Sequence, residues 1–180
     1  MYTNLENFKT HLVLGGARSG KTKFAEKLAL SLTKDSKKPP VYVATAQAFD
    51  TEMRDRIDSH KYERGDRFKT LECPLGIDEP LINASTDEVI LIDCLTLFVS
   101  NLLCAESFDQ NKIGLFKEAV KITKARLIIV SNETGLGVVP DNKLAREFRD
   151  VAGKLNQDIA SISDRVTLIV AGLEMPLKTD

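Results

Sequence analysis

The sequence predicts a single α/β domain in which helices cover both faces of a mostly parallel central sheet. The chain has 180 residues, a length that suits one domain. Hydrophobic residues make up 43% of it and charged residues 28%, which is typical of a globular domain and argues against a mostly disordered chain. Short apolar runs alternate with longer amphipathic stretches. Buried parallel strands separated by helices produce this alternation, and it defines the predicted class.

Six short segments are predicted as strands because they are largely apolar. They are His11–Leu14, Val41–Ala44, Phe68–Cys73, Glu88–Asp93, Arg126–Ser131 and Arg165–Ala171. Five longer segments are predicted as helices, since their apolar side chains recur at helical spacing. They are Lys21–Thr33, Thr51–Glu63, Leu95–Ala105, Lys112–Lys124 and Asn142–Ser163. The polar segment Met1–Thr10 is expected to be an N-terminal extension, which leaves residues 11–180 as the domain.

Composition and charge argue against several classes of protein. Lys and Arg total 25 and Asp and Glu total 26, so the net charge of −1 gives no general attraction for nucleic acid. Two histidines and three cysteines, without a C-x-x-C pair, make a structural zinc site unexpected. No apolar run approaches the roughly 20 residues that span a bilayer, and the polar N-terminus lacks the apolar core of a signal peptide. We therefore expect a cytoplasmic protein without a membrane span or a nucleic-acid partner.

A phosphate-binding loop is predicted directly after the first strand. The segment GGARSGKT fits the pattern G-x-x-x-x-G-K-[ST] and stands between a strand and a helix, as that motif requires. Its residues are Gly15, Gly16, Ala17, Arg18, Ser19, Gly20, Lys21 and Thr22. Glycines allow successive N–H groups to point inward, Lys21 reaches the β- and γ-phosphates, and Thr22 offers its hydroxyl to Mg²⁺. The motif predicts a protein that binds a nucleoside triphosphate, and a glycine-rich turn without a nucleotide is the alternative.

Asp93 is the candidate for a second ligand of Mg²⁺. It closes the apolar segment EVILID, and a nucleotide site of this kind needs a carboxylate at the end of a neighbouring buried strand. A charge in that position is costly unless it has a partner. The alternative is that Asp93 caps the helix that begins near Leu95, a role compatible with metal binding.

His60 is the second candidate for chemistry. It lies on the predicted helix Thr51–Glu63, with Arg54 before it and Lys61 and Arg64 after it. Such cations would stabilise phosphate charge and lower the pKa of a histidine toward its neutral, nucleophilic form. The alternative is a solvated basic helix face on which the histidine has no function.

The loop after the strand Arg126–Ser131 is expected to complete the site. In an open parallel sheet the carboxyl ends of the strands form the ligand crevice. Asn132 and Glu133 follow this strand directly, so they are predicted to face the site. A simple turn that contains glycine is the alternative.

Six motifs follow one another along the chain. They are LVLGGARSGKTKFAE (Leu12–Glu26), YVATA (Tyr42–Ala46), D-x-E-M-x-x-R-I-x-x-H (Asp50–His60), IDCLTLFVSNLL (Ile92–Leu103), VSNETGLGVVP (Val130–Pro140) and REFRDVAGKLNQDIA (Arg146–Ala160). In this order they resemble the motifs of a known family, the bifunctional adenosylcobinamide kinase/adenosylcobinamide-phosphate guanylyltransferases of cobalamin biosynthesis. The resemblance covers the chain from about Leu12 to Lys178.

The resemblance implies a P-loop NTPase fold of the RecA-like type that carries out two transfers. In the first, a phosphoryl group passes from ATP or GTP to adenosylcobinamide, with Lys21 as a catalytic residue. In the second, His60 takes GMP from GTP and passes it to adenosylcobinamide phosphate. Mg²⁺ would be held by Thr22 and Asp93, and the family implies a homotrimer. Outside the loop, the implied nucleotide contacts are Ala44, Thr45, Ala46, Lys61, Tyr62, Glu63, Arg64, Glu72 and Asp93.

Two other functions stay open on the sequence. One is a small-molecule kinase of another pathway, which would share the phosphate loop and Asp93 but would not need His60. The other is a nucleotide-binding protein without catalysis.

Overall fold

A computed structural model describes residues 7–48, 50–105, 109 and 111–179, which form one sheet with helices on both faces. The strands are β1 (Thr10–Gly15), β2 (Val41–Ala44), β3 (Lys69–Glu72), β4 (Val89–Asp93), β5 (Arg126–Asn132), β6 (Arg165–Val170) and β7 (Leu173–Thr179). The helices are α1 (Lys21–Leu32), α2 (Thr51–Arg64), α3 (Glu79–Ile82), α4 (Leu95–Cys104), α5 (Asn111–Ile122) and α6 (Lys143–Ile162). The strand order is β3-β2-β4-β5-β1-β6-β7, and only β7 runs antiparallel to its neighbour.

All six predicted strands and all five predicted helices are confirmed, with ends within two residues of those predicted. Helix α3, strand β7 and a short 3₁₀ helix, Gly65–Arg67, were not predicted. Helix α3 has four residues, too few to show a helical period. Strand β7 joins β6 through Ala171 and Gly172, whose φ angles are +53° and +80°. A type I′ hairpin turn requires positive φ at both central positions, but Ala-Gly is not the usual Asn-Gly signal.

The core lies on both faces of the sheet because successive strand residues point in opposite directions. On one face, Leu12, Ile92 and Leu127 pack with Phe98 of α4 and Phe116 of α5. On the other face, the strand residues Val13, Leu91 and Ile128 pack with Ala25 and Leu28 of helix α1. Both faces are therefore covered, and the carboxyl ends of the parallel strands share one edge with the start of α1.

The last residues before β1 pack against the domain. Phe8 is 7% exposed and belongs to the same apolar cluster as Val13. The backbone N–H groups of Lys9 and Thr10 donate to Asp164 Oδ2 over 2.7 and 2.8 Å. Residues 1–6 lie outside the described residues, so the boundary of an extension at residue 10 stays a prediction. In the part of the chain that the structure describes, no helix has the length and apolar character needed to cross a membrane.

His11 of β1 is a buried histidine with a packing role. Its Nε2 lies 2.8 Å from Thr167 Oγ1, and its ring meets the rings of Phe8 and Phe24 edge-on. Burial, with a smaller contribution from the charge of Arg165, lowers the pKa of His11 to about 4. The folded state therefore holds His11 neutral where the unfolded chain binds a proton.

This depressed pKa makes folding stability depend on pH. The stabilisation is complete above the unfolded-state pKa of about 6.5 and is lost as the pH falls toward 4. Protonation of His11 in the unfolded chain is therefore expected to lower the free energy of unfolding of the wild type by about 2 kcal/mol when the pH falls from 7 to 5. Urea unfolding of wild type and His11→Gln at both pH values measures this, and the gap between the two proteins should shrink by that amount. A gap that does not change with pH would contradict the assignment.

Candidate active site

Two positions of the loop between β1 and α1, Gly15 and Gly20, require glycine. A Cβ on Gly15 would lie 2.4 Å from Ser19 Oγ and 2.7 Å from the Ile169 carbonyl oxygen, so no larger residue fits. Gly20 has a φ of +95°, which L side chains rarely adopt. It directly precedes Lys21, the first residue of α1. The N-terminus of α1 therefore opens onto the loop, and a helix N-terminus attracts anions.

Lys21 is folded back over this loop. Its side chain is nearly buried, at 8% exposure, and Nζ donates to the Gly16 carbonyl oxygen over 3.0 Å. The ammonium group therefore lies inside the loop, where low solvent access strengthens its attraction for a bound anion. This position suits the phosphate contact that the motif predicts for Lys21.

Asp93 lies beside Thr22, as predicted. Its Oδ2 atom accepts hydrogen bonds from Thr22 Oγ1 over 2.9 Å and from the Tyr42 hydroxyl over 2.7 Å. The predicted alternative, a cap for α4, is wrong, because Cys94 precedes that helix and no side chain caps it. Tyr42 was not predicted as a site residue. Burial and the neighbouring Asp93 charge raise its pKa, so the hydroxyl stays protonated and remains a donor.

These groups fit Mg²⁺. Thr22 and Asp93 place a hydroxyl and a carboxylate oxygen together at the phosphate loop. No cluster of three or more His, Cys, Asp or Glu side chains within the described ranges could hold a metal ion. Mg²⁺ in nucleotide sites needs no such cluster, because it is bound by one or two protein groups with phosphate oxygens and water.

Two adjoining cavities meet at the loop. One has a volume of about 360 Å³, and the other is a more open cleft of about 1180 Å³. Arg18, Lys21, Thr22 and His60 line both, so the two spaces are parts of one site. The smaller cavity is also lined by Ala17, Tyr42, Ala44, Ala46, Arg64, Asp93, Asn132 and Glu133. The prediction that the loop after β5 faces the site is confirmed.

Helix α2 carries His60 over the phosphate loop. The carboxylate of Asp50 caps its first turn by accepting from the Met53 N–H over 2.7 Å. Met53 and Ile57, predicted on the apolar side, line the smaller cavity. The His60 side chain is 48% exposed, and its Nδ1 atom lies 3.9 Å from Glu63 Oε2. His60 is thus accessible to a ligand that occupies the loop.

Arg64 differs from its neighbours on α2 because it is only 5% exposed. Its guanidinium carbon lies 3.9 Å from the centre of the Tyr42 ring, a cation–π contact. Its Nε atom is buried without a hydrogen-bond partner among the described residues, and the side chain lines the smaller cavity. A buried donor of this kind favours an anionic ligand.

Glu26 is a second site residue that the sequence analysis missed. It lies four residues after Thr22 on α1, so both side chains share one face of that helix, and this spacing was the available signal. It lines the larger cleft and is half-buried. Burial raises the pKa of Glu26, and the nearby Arg64 charge opposes this shift. Glu26 is therefore close enough to Arg64 to interact with it electrostatically.

Four of the predicted nucleotide contacts lie elsewhere or have other partners. Thr45 is fully buried, and its hydroxyl bonds the backbone N–H and carbonyl oxygen of Cys94, both over 2.8 Å. Lys61 and Glu72 form an ion pair of 3.0 Å and line neither of the two cavities. Tyr62 is 89% exposed. Their contacts with nucleotide stay predictions, and Thr45 fixes the backbone next to Asp93.

The loop, its lysine, the Thr22–Asp93 pair and the parallel sheet define a P-loop NTPase, as predicted. The model of the cobinamide kinase/cobinamide phosphate guanyltransferase family, CobU, matches residues 11–177. This chain therefore belongs to that family, whose members are transferases.

Named relatives agree with this membership. The chain is 46% identical over 171 residues to the bifunctional adenosylcobalamin biosynthesis protein CobP of Pseudomonas aeruginosa, covering 93% of this chain and 96% of that protein. It is 40% identical over 185 residues to the bifunctional adenosylcobalamin biosynthesis protein CobU of Salmonella typhimurium. That alignment covers 93% of this chain and 98% of the relative. Among solved structures, the flagellar accessory protein FlaH of Methanocaldococcus jannaschii shares the fold, with a TM-score of 0.51 and 15% identity. That comparison covers 96% of this chain and 79% of FlaH.

Proposed function

We propose that this chain carries out both transfers named in its family's description, acting on adenosylcobinamide and then on adenosylcobinamide phosphate. The observation that carries the proposal is that His60 and the phosphate loop line the same cavities. A kinase of another pathway would need the loop and Asp93 but no histidine beside them. The substrates would be ATP or GTP in the first transfer and GTP in the second.

In the phosphoryl transfer, the chain would position the triphosphate and stabilise its developing charge. The loop N–H groups and Lys21 would bind the β- and γ-phosphates. Thr22 and Asp93 would hold Mg²⁺, which when bound neutralises charge on these phosphates. The hydroxyl oxygen of the aminopropanol arm of adenosylcobinamide would attack the γ-phosphorus, the nucleoside diphosphate would leave with the bridging oxygen, and the hydroxyl proton would pass to solvent.

In the guanylyl transfer, a neutral His60 would act as the nucleophile. Its Nδ1 atom faces Glu63, so we expect Nε2 to attack the α-phosphorus of GTP. A P–N bond forms while the bond to the β-phosphate oxygen breaks, and pyrophosphate leaves. A phosphate oxygen of adenosylcobinamide phosphate then attacks the same phosphorus and releases His60 with its electron pair. Arg64, buried with a free donor, would bind phosphate oxygens in this position.

The test is to follow two labels into the corrinoid product. The chain is incubated with adenosylcobinamide, Mg²⁺ and GTP labelled at either the γ- or the α-phosphate. The γ label is expected first in adenosylcobinamide phosphate and then in adenosylcobinamide-GDP, whereas the α label is expected only in the latter. Cobalamin, whose aminopropanol arm is already esterified, serves as the control and should accept neither label. Transfer of the γ label alone would reduce the protein to a kinase, and no label on the corrinoid would refute the proposal.

A further inference from the structure

The hydroxyl of Tyr42 shares its acceptor with Thr22. Both groups donate to Asp93 Oδ2, over 2.7 Å from Tyr42 and 2.9 Å from Thr22. Tyr42 belongs to β2, the strand that pairs with β4, and it is 4% exposed. Two donors on one oxygen restrict the rotation of the carboxylate. Neither of these two bonds uses the other oxygen, Oδ1, so they leave it available to a cation.

The ring of Tyr42 is held by two contacts. Phe68 meets it edge-on, with ring centres 5.8 Å apart and an interplanar angle of 82°. The Arg64 guanidinium carbon lies 3.9 Å from the ring centre. Because Tyr42, Phe68 and Arg64 are all buried, the ring cannot turn without disturbing its neighbours. Packing therefore sets the direction in which the hydroxyl points.

We propose that Tyr42 is a positioning residue that orients the Asp93 carboxylate for Mg²⁺ bound with a nucleoside triphosphate. The inference rests on the proposed assignment of Thr22 and Asp93 to Mg²⁺. Groups that hydrogen-bond a metal ligand orient it, and their loss typically lowers metal affinity 10- to 100-fold. Tyr42 itself need not touch nucleotide or metal for this effect.

The test measures the affinity of the intact protein for GMPCPP, a GTP analogue with a methylene group between the α- and β-phosphates that blocks attack at the α-phosphorus, in EDTA and in saturating Mg²⁺. In the wild type, Mg²⁺ should tighten binding. Tyr42→Phe keeps the ring and its two contacts but removes the hydroxyl. We expect the ratio of the affinity in Mg²⁺ to the affinity in EDTA to be about tenfold smaller in this variant than in the wild type. Full tightening in Tyr42→Phe, or no effect of Mg²⁺ on the wild type, would overturn the inference.

Two further variants separate positioning from loosened packing. Phe68→Leu weakens the edge-on contact that holds the ring but keeps the hydroxyl, so it should lose much less of the tightening than Tyr42→Phe does. A loss in Phe68→Leu equal to that in Tyr42→Phe would overturn the inference.

In an Asp93→Asn background, adding Tyr42→Phe should change Mg²⁺-dependent binding little, because the two residues act as a unit. Independent losses in the double variant would contradict it. None of these measurements uses a corrinoid or His60, so failure of the proposed transfers would not affect them.

Discussion

Lys21→Ala is expected to lower kcat/KM of the phosphoryl transfer by about 10²- to 10³-fold. The ammonium group is nearly buried and lies 3.0 Å from the Gly16 carbonyl oxygen, inside the loop. A charge fixed there costs no reorganisation when negative charge shifts toward the leaving phosphate, whereas water that replaces it must reorient. The rate of formation of labelled adenosylcobinamide phosphate from γ-labelled GTP measures the effect.

The matched control for Lys21 is Lys37→Ala. Lys37 is exposed in the connector before β2 and lines neither cavity, so its removal tests the loss of one positive charge alone. It should keep the wild-type rate within about twofold, since surface substitutions have small effects. Thermal unfolding of both variants checks that each is folded. Wild-type turnover in a folded Lys21→Ala would contradict the role of this loop in phosphate binding.

The central sheet was predictable because its strands are buried on both faces. The segments VYVA, EVILID and RLIIVS are nearly continuous apolar runs, which are typical of strands in a parallel sheet covered on both sides. Strand β7 could not be found by that rule. It is an edge strand whose residues Leu173, Met175 and Leu177 are exposed, and Pro176 interrupts its pattern.

The phosphate loop and Asp93 were predictable because local sequence defines them. The spacing of Gly15, Gly20, Lys21 and Thr22 specifies a backbone shape, and Asp93 marks the end of an apolar strand. Their contact across 71 residues follows from the general rule that parallel strands end at one edge.

Tyr42 and Thr45 show where such reasoning ends. The segment VYVA predicts Tyr42 as a buried strand residue. No pattern in the sequence indicates that its hydroxyl donates to Asp93. Thr45 stands next to the site in sequence, yet its hydroxyl bonds the backbone of Cys94. The tertiary packing around a small polar side chain decides whether it contacts a ligand or the backbone. Sequence periodicity does not predict such contacts.

His60→Ala is expected to reduce covalent labelling of the protein by α-labelled GTP at least about 10³-fold, because it removes the attacking atom. A histidine phosphoramidate is labile in acid and stable in alkali, so a denaturing gel after each treatment identifies the bond. The same variant should keep the phosphoryl transfer from γ-labelled GTP, since Lys21 and the Thr22–Asp93 pair are intact.

The chain supplies its own control for this experiment, because His11 is its only other histidine. His11 is fully buried, and its Nε2 atom lies 2.8 Å from Thr167 Oγ1, so it cannot reach a nucleotide. His11→Gln should therefore keep the label that His60→Ala loses, after correction for its lower stability. A label that survives His60→Ala would overturn the covalent step. Loss of both the label and the phosphoryl transfer would instead show that His60 supports the whole site, since a nucleophile specific to GMP leaves the kinase reaction untouched.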